Sequence, residues 1–242
     1  MSPLLLAALG AVILAGAFTL RSTGMGFSLV AAPFLVLVLG PFEGILVANC
    51  CSVASSLLNL TQVHAAVDWR QARWLIPAGV LGVIPGALAV RALPLPILAI
   101  VVSVIVLVAL AFTVLARSLH LPSSPVVAGV GGFASGFMNV TAGVAGPGLV
   151  VYAVATRWQH RQFAATAQVH FAVLSLTSLV LKGTVPRLPW AGWLTIAPAL
   201  AAGLVLGNLM ARRIDAAVAM RLVIVIAGVG AVAVLVRAIL TL

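Results

Sequence analysis

The chain runs as one apolar stretch after another, divided by little more than a proline, a glycine or an isolated basic residue. Inside a bilayer the backbone finds no water, so its N–H and C=O groups must pair within the chain, and only helices or closed barrels achieve that. A spanning helix takes roughly 20 apolar residues, and stretches of that size recur along the whole sequence. With 64% hydrophobic and 7% charged residues, against about a quarter charged in a soluble domain, nothing is left over for a soluble domain. The sequence predicts an all-α integral membrane protein with the lipid bilayer as its surroundings.

The formal charge of +10 would suggest a nucleic-acid partner in a soluble chain, where clustered Lys and Arg neutralise phosphates. Here the basic residues stand singly or in pairs between apolar stretches, without interleaved aromatics. They read as orientation signals, with no nucleic-acid partner. Residues 3–20 carry AGA at 15–17, which is like a cleavage site, but no positive region precedes them and a similar segment recurs later, so they are expected to stay as a helix. The two cysteines, Cys50 and Cys51, are adjacent and unsuited to a disulfide framework or a spaced metal site. They read as small packing residues.

Turn residues and charges place apolar elements near 3–20, 25–40, 43–61, 74–91 and 95–116, then near 124–138, 145–156, 163–181, 189–210 and 219–240. The first two of each set are separated by glycine-rich breaks, RSTGMGFS (residues 21–28) and NVTAGVAGPG (residues 139–148). Placing Gly26 on Gly146 brings Leu29 onto Leu149 and Val30 onto Val150. Further on, one deletion brings Asn49 onto Gln168 and Ser56 onto Ser175. The expected organisation is an inverted repeat of two five-element halves, 1–120 and 121–242, forming one transporter domain. An odd number of crossings per half turns the second copy over. The parity holds whether the first two elements of each half span or form re-entrant hairpins, with discontinuous helices at the midplane in either case.

Counting basic residues in alternate loops puts Arg70, Arg73, Arg117, Arg157, Arg161, Arg212, Arg213 and Arg221 on one side, and Arg91, Lys182, Arg187 and Arg237 on the other. The positive-inside rule makes the first set cytoplasmic, so both termini are expected outside. Arg21 is left out of the count because it adjoins a break.

Backbone at membrane depth without helical hydrogen bonds is tolerated where it is buried in protein or lines a cavity. Gly24 and Gly26, with Gly143, Gly146 and Gly148, let the chain turn and approach a ligand closely. Pro147 suits the first turn of the helix that follows. A helix N-terminus offers free N–H donors and the positive end of a dipole, so two of them meeting from opposite leaflets make an anion site. Ser22, Thr23 and Ser28, and Asn139 and Thr141, can add polar contacts, and Arg21 is a natural partner for an anion. The same glycines would also serve simple close packing, and Arg21 could snorkel to an interface. Asn49, Gln168 and His170 lie inside apolar elements after the breaks. They either reach the ligand or bridge helices, and His170 could exchange a proton near neutral pH. Proton coupling is therefore left open, as is a homodimer.

Glu43 follows Gly40-Pro41 and reads as a first-turn acid that complements the helix dipole, with proton coupling the weaker option. His64, His120 and His160 fall in loops and are read as solvated. No nucleophile elbow, zinc-protease helix or phosphate-binding loop occurs. Three acidic residues in all leave no basis for paired-carboxylate catalysis or a hard-metal site. No cofactor is expected.

The runs TGMGFSLVAAPFL (residues 23–35), GPFEGILVANCCS (40–52) and GFASGFMNVTAGVAGPGLVVYAV (132–154) resemble the paired glycine-rich motifs of the TauE/SafE sulfite exporter family. The likeness extends over essentially the whole chain. The second motif is the more specific; the first departs from the pattern at Met25 and Phe27, where glycine is frequent. The resemblance implies a bacterial inner-membrane secondary transporter of sulfite or small organosulfonates such as sulfoacetate, usually outward, with other small organic or inorganic anions as alternatives. The competing readings are an intramembrane enzyme pairing a hydroxyl with His170 as base, and a passive channel open at both ends.

Overall fold

The computed structural model describes residues 1–23, 27–115, 121–210 and 216–240, apart from the side chains at positions 21–23, 114, 216, 217, 219 and 220. The described residues form ten α-helices and no strand: α1 (Pro3–Thr23), α2 (Phe27–Leu39), α3 (Pro41–Val63), α4 (Trp69–Ala92), α5 (Leu95–Leu115), α6 (Pro125–Ala142), α7 (Gly146–Ala155), α8 (His160–Lys182), α9 (Trp190–Met210) and α10 (Ala216–Leu240). Seven of them, all but α2, α6 and α7, are long and apolar enough to cross a membrane. The protein is a multi-pass membrane protein.

Local chemistry sets the ends. Pro41 and Pro125 open α3 and α6, where the missing N–H is no loss. Asp68 caps α4 by accepting from Gln71 N at 3.1 Å. That cap starts α4 at Trp69 rather than near 74, so Arg70 and Arg73 ride on the helix. Gly143 and Gly183 end α6 and α8 in the left-handed region, at φ 72° and 65°, where glycine has no Cβ penalty.

α2 and α7, of 13 and 10 residues, extend only about 20 and 15 Å at 1.5 Å per residue, short of a core about 30 Å thick. Leu121 N, just before α6, donates to Ala155 O at the end of α7 at 2.9 Å, so α6 and α7 leave and return to the same level.

The most extensive pairings are α4 with α6 and α1 with α9. Glycine makes both possible: a Cβ on Gly136 of α6 would meet the Gly79 carbonyl of α4, and one on Gly203 of α9 would lie 2.5 Å from Leu14 O of α1. The core falls into two apolar clusters. One draws mainly on α1, α2, α3, α5, α9 and α10, with Val90 of α4 and Ala142 of α6 joining it, the other on α4, α6, α7 and α8. The fourth helix of each sequence half thus packs beside the broken helices of the other half. Between the clusters α3 crosses α8 in antiparallel sense, since Glu43 Oε2 accepts from Arg187 N at one end (3.0 Å) and Asp68 N donates to Thr166 Oγ1 at the other (2.9 Å).

Candidate functional site

The start of α2 and the start of α7 meet at the centre of this frame. Phe27 and Ser28 from α2, and Ala145 and Gly146 from the second break, line one small cavity together with Leu20, Phe171 and three serines of α3, Ser52, Ser55 and Ser56. It offers about 10 Å³ to the centre of a water molecule, the size of one water site. The first N–H groups of both helices have no intrahelical acceptor. No carboxylate lines the cavity among the described residues: Glu43 is held by Arg187 N, while Asp68 takes Gln71 N and Trp158 Nε1. The result is a serine-lined space at the starts of two helices, a chemistry suited to an anion.

Of the residues singled out from sequence, Ser28 and Gly146 reach this cavity. Gly143 turns the chain against Ala32, Ile45 and Ala48, joining the second break to α2 and α3. Gly148 allows α7 to lie on α6, because a Cβ there would sit 2.7 Å from Ser135 N. Pro147 is in the first turn of α7 and faces a different, apolar cleft. Thr141 returns its hydroxyl to Phe137 O of its own helix at 2.6 Å. Asn139 Nδ2 donates to Ser175 Oγ at 3.2 Å, with its Oδ1 left unpartnered among the described residues. Gln168 is buried and donates to Ala164 O at 3.2 Å. Asn49 is wholly buried on α3, and neither polar atom of its amide has a partner among the described residues. Gly24 and Gly26, and the side chains of Arg21, Ser22 and Thr23, all expected at the site, lie outside the described residues.

His170 sits fully buried beside α6, its Nε2 2.9 Å from Ser135 Oγ. The serine also lies 2.6 Å from Ala145 O, to which it donates. A hydroxyl has one proton to give. With that proton on Ala145 O, the imidazole donates from Nε2, so it is not placed to act as base toward Ser135. The bond ties α8 through α6 to the residue before α7.

Ser135, Ser52 and Ser55 were not among the sequence candidates. Asn49, Ser52, Ser56 and Asn59 follow one another at helical spacing on α3 and are all buried; that polar stripe in an apolar helix was the available signal.

At the end of α7 a second network joins three elements. Tyr152 OH donates to Gln71 Oε1 (2.7 Å), Gln71 Nε2 to Ser123 Oγ (2.8 Å) and Trp158 Nε1 to Asp68 Oδ2 (3.2 Å).

A family model described as sulfite exporter TauE/SafE matches residues 8–234 of the chain. No curated protein and no solved structure was found to match it.

Proposed function

The chain belongs to the sulfite exporter TauE/SafE family of membrane transporters, and from that membership we propose that it is a secondary transporter carrying a small sulfur-containing anion outward: sulfite, sulfoacetate or a related organosulfonate. The observation that carries the proposal is the serine-lined cavity between the first turns of α2 and α7. Taking an anion out of water costs several kcal/mol. Two helix ends at up to about 2 kcal/mol each in buried geometry, with charge-assisted hydrogen bonds of about 1.5–3 kcal/mol each, offset a penalty of that size for a small oxyanion. A bulky apolar guest would gain nothing from such donors.

The cavity as it stands admits one water, so an anion enters only as the surrounding helices separate. In this proposal the moving bodies are α1, α2, α3 and α9 on one side and α4, α6, α7 and α8 on the other, rocking about the α3–α8 contact to give alternating access. Support for an inverted repeat comes from packing. Exchanging the two sets of five helices in order turns the α4–α6 pairing into α9–α1, and leaves α3–α8 and α5–α10 each paired with itself. The short α2 and α7 are then re-entrant half-helices of one domain built from residues 1–120 and 121–242. By the positive-inside rule the termini face outward, across a bacterial inner membrane.

The Ser135–His170 contact favours the enzyme reading by proximity. The direction of the serine's proton toward Ala145 O opposes it.

Reconstituted into proteoliposomes, the purified protein is expected to move sulfite or sulfoacetate down an imposed gradient, saturably. Absence of flux across a panel of small sulfur, organic and inorganic anions would remove the transporter reading; a non-saturable leak would replace it with a channel.

A further inference from the structure

We infer that one end of the α3–α8 seam holds a second anion site, where the ammonium of Lys182, the hydroxyl of Ser178 and the amide of Asn49 receive the transported anion between the central cavity and that face of the membrane. The inference rests on the transport reading above and adds the counter-charge, which the cavity itself lacks among its described residues.

Lys182 ends α8 at 7% exposure, and its Nζ is covered and has no hydrogen-bond partner among the described residues. A lysine at a membrane helix end ordinarily snorkels its charge to the interface; this one keeps it inside. Helical side chains lean toward the N-terminus, so Lys182 overlies the turn that carries Ser178, four residues back on the same face. Ser178 is 0% exposed and its Oγ also has no partner among the described residues.

The register of neighbouring helices brings Asn49 to this level. α6 and α8 run parallel, because Ser135 pairs with His170 and Asn139 with Ser175. One turn beyond Asn139, Gly143 meets Ile45 and Ala48 of α3, while one turn beyond Ser175 lies Ser178. Asn49 follows Ala48 directly and is itself buried and without a partner among the described residues. Ser52, which lines the central cavity, is one turn further along α3, so the two sites adjoin.

A covered ammonium calls for an anion, and the described residues supply none here. Glu43 accepts Arg187 N, Asp68 is engaged at the opposite end of the seam, and Asp215 lies outside the described residues. Three ammonium protons, a hydroxyl and an amide NH2 present many donors and few acceptors. That set matches a three-oxygen head, such as sulfite or a sulfonate. The same chemistry would fit a lipid phosphate, which the test must separate. The offset that places Asn49 on Gln168 and Ser56 on Ser175 places Val63 on Lys182, so the cation has no counterpart at the other end of the seam.

The test compares the full-length wild type with K182M, K182R and S178A in vesicles of phosphatidylcholine alone and with phosphatidylglycerol added, reading radiolabelled sulfite flux and thermal stability. K182M is expected to raise the half-saturating sulfite concentration at least tenfold, K182R to stay within about threefold of wild type, and S178A to fall between. K182M should melt no lower than wild type, since it removes a buried charge without a partner among the described residues, and added sulfite should raise the melting temperature of wild type more than that of K182M. Half-saturation in K182M within twofold of wild type would overturn the site. So would a lower melting temperature of K182M, in both lipids if Lys182 has a protein partner, or only with phosphatidylglycerol if it holds lipid phosphate. If wild type moves neither sulfite nor sulfoacetate, the transport reading fails by itself, and the sulfite-induced melting shift still decides the site.

Discussion

The two broken-helix pairs, α1–α2 and α6–α7, share an order of elements but not a packing. α10 closes tightly on α2: a Cβ on Gly230 would lie 2.9 Å from the Phe34 ring and 3.0 Å from Pro33. The corresponding helix in the other half, α5, packs less closely on α7. It leaves an apolar cleft of about 710 Å³, lined among others by Val108, Phe112, Val130, Ala134 and Val151. A protein that alternates between two arrangements needs each pair to have two packings. The packing is close around α2 and open around α7, and under the proposed rocking cycle the two would exchange.

The largest expected effects fall on the seams that carry both pairs. Gly132→Ala pushes a methyl into the Leu75 carbonyl, and Gly203→Ala puts one 2.5 Å from Leu14 O. Backbone cannot yield as a side chain does, so each is expected to cost on the order of 3 kcal/mol, the upper end for overpacking. Gly10→Ala meets only the tip of Thr195 at 3.1 Å and should cost less than about 1 kcal/mol. Melting curves in detergent check this. A large difference between Gly132→Ala and Gly203→Ala would break the equivalence of the two seams.

Next comes the bond that only one pair has. Ser135 holds Ala145 O and His170 Nε2; its counterpart on the glycine alignment is Ala15, which has no hydroxyl. Ser135→Ala should destabilise by about 1–3 kcal/mol, the cost of leaving buried polar groups unpaired. An unchanged melting temperature would show that this tie does not hold the second break.

The cleft sharpens the comparison further. Ala134→Trp fills space beside α5 and should wedge the open packing, lowering flux about tenfold while stability stays within about 0.5 kcal/mol. Full flux in this variant would mean that the cleft does not close during transport. Smallest in stability is Asn49→Leu, which removes two polar atoms without partners among the described residues and should leave stability level or raise it by about 1 kcal/mol. Flux should still fall. A stability loss would reveal a structural bond for Asn49.

Most element boundaries were legible because glycine and proline mark them in lipid as in water. Gly146-Pro147 opens α7, and Gly143 closes α6 where the sequence breaks. Charge misled at Arg70 and Arg73, which looked like loop but lie in α4 behind the Asp68 cap, and at Arg161, which lies in the first turn of α8. The pairing of α4 with α6 was hidden for another reason. Gly79, Gly82, Gly132 and Gly136 mark close faces only once each has its partner. Lys182 was counted as a loop charge because burial of its ammonium is a tertiary property. Ser52 and Ser55 escaped notice because serine in a membrane helix commonly bonds back to its own backbone, as Ser55 does to Ser52 O at 3.2 Å.

The central claim is that the anion binds where the first turns of α2 and α7 converge. A structure determined with saturating sulfite tests it most directly. The expected result is a three-oxygen density within hydrogen-bonding distance of N–H groups at the starts of both helices and of the hydroxyls of Ser52 or Ser55, in a cavity widened beyond its present 10 Å³. Sulfite found only in the apolar cleft or on the surface, with that cavity unchanged, would contradict it.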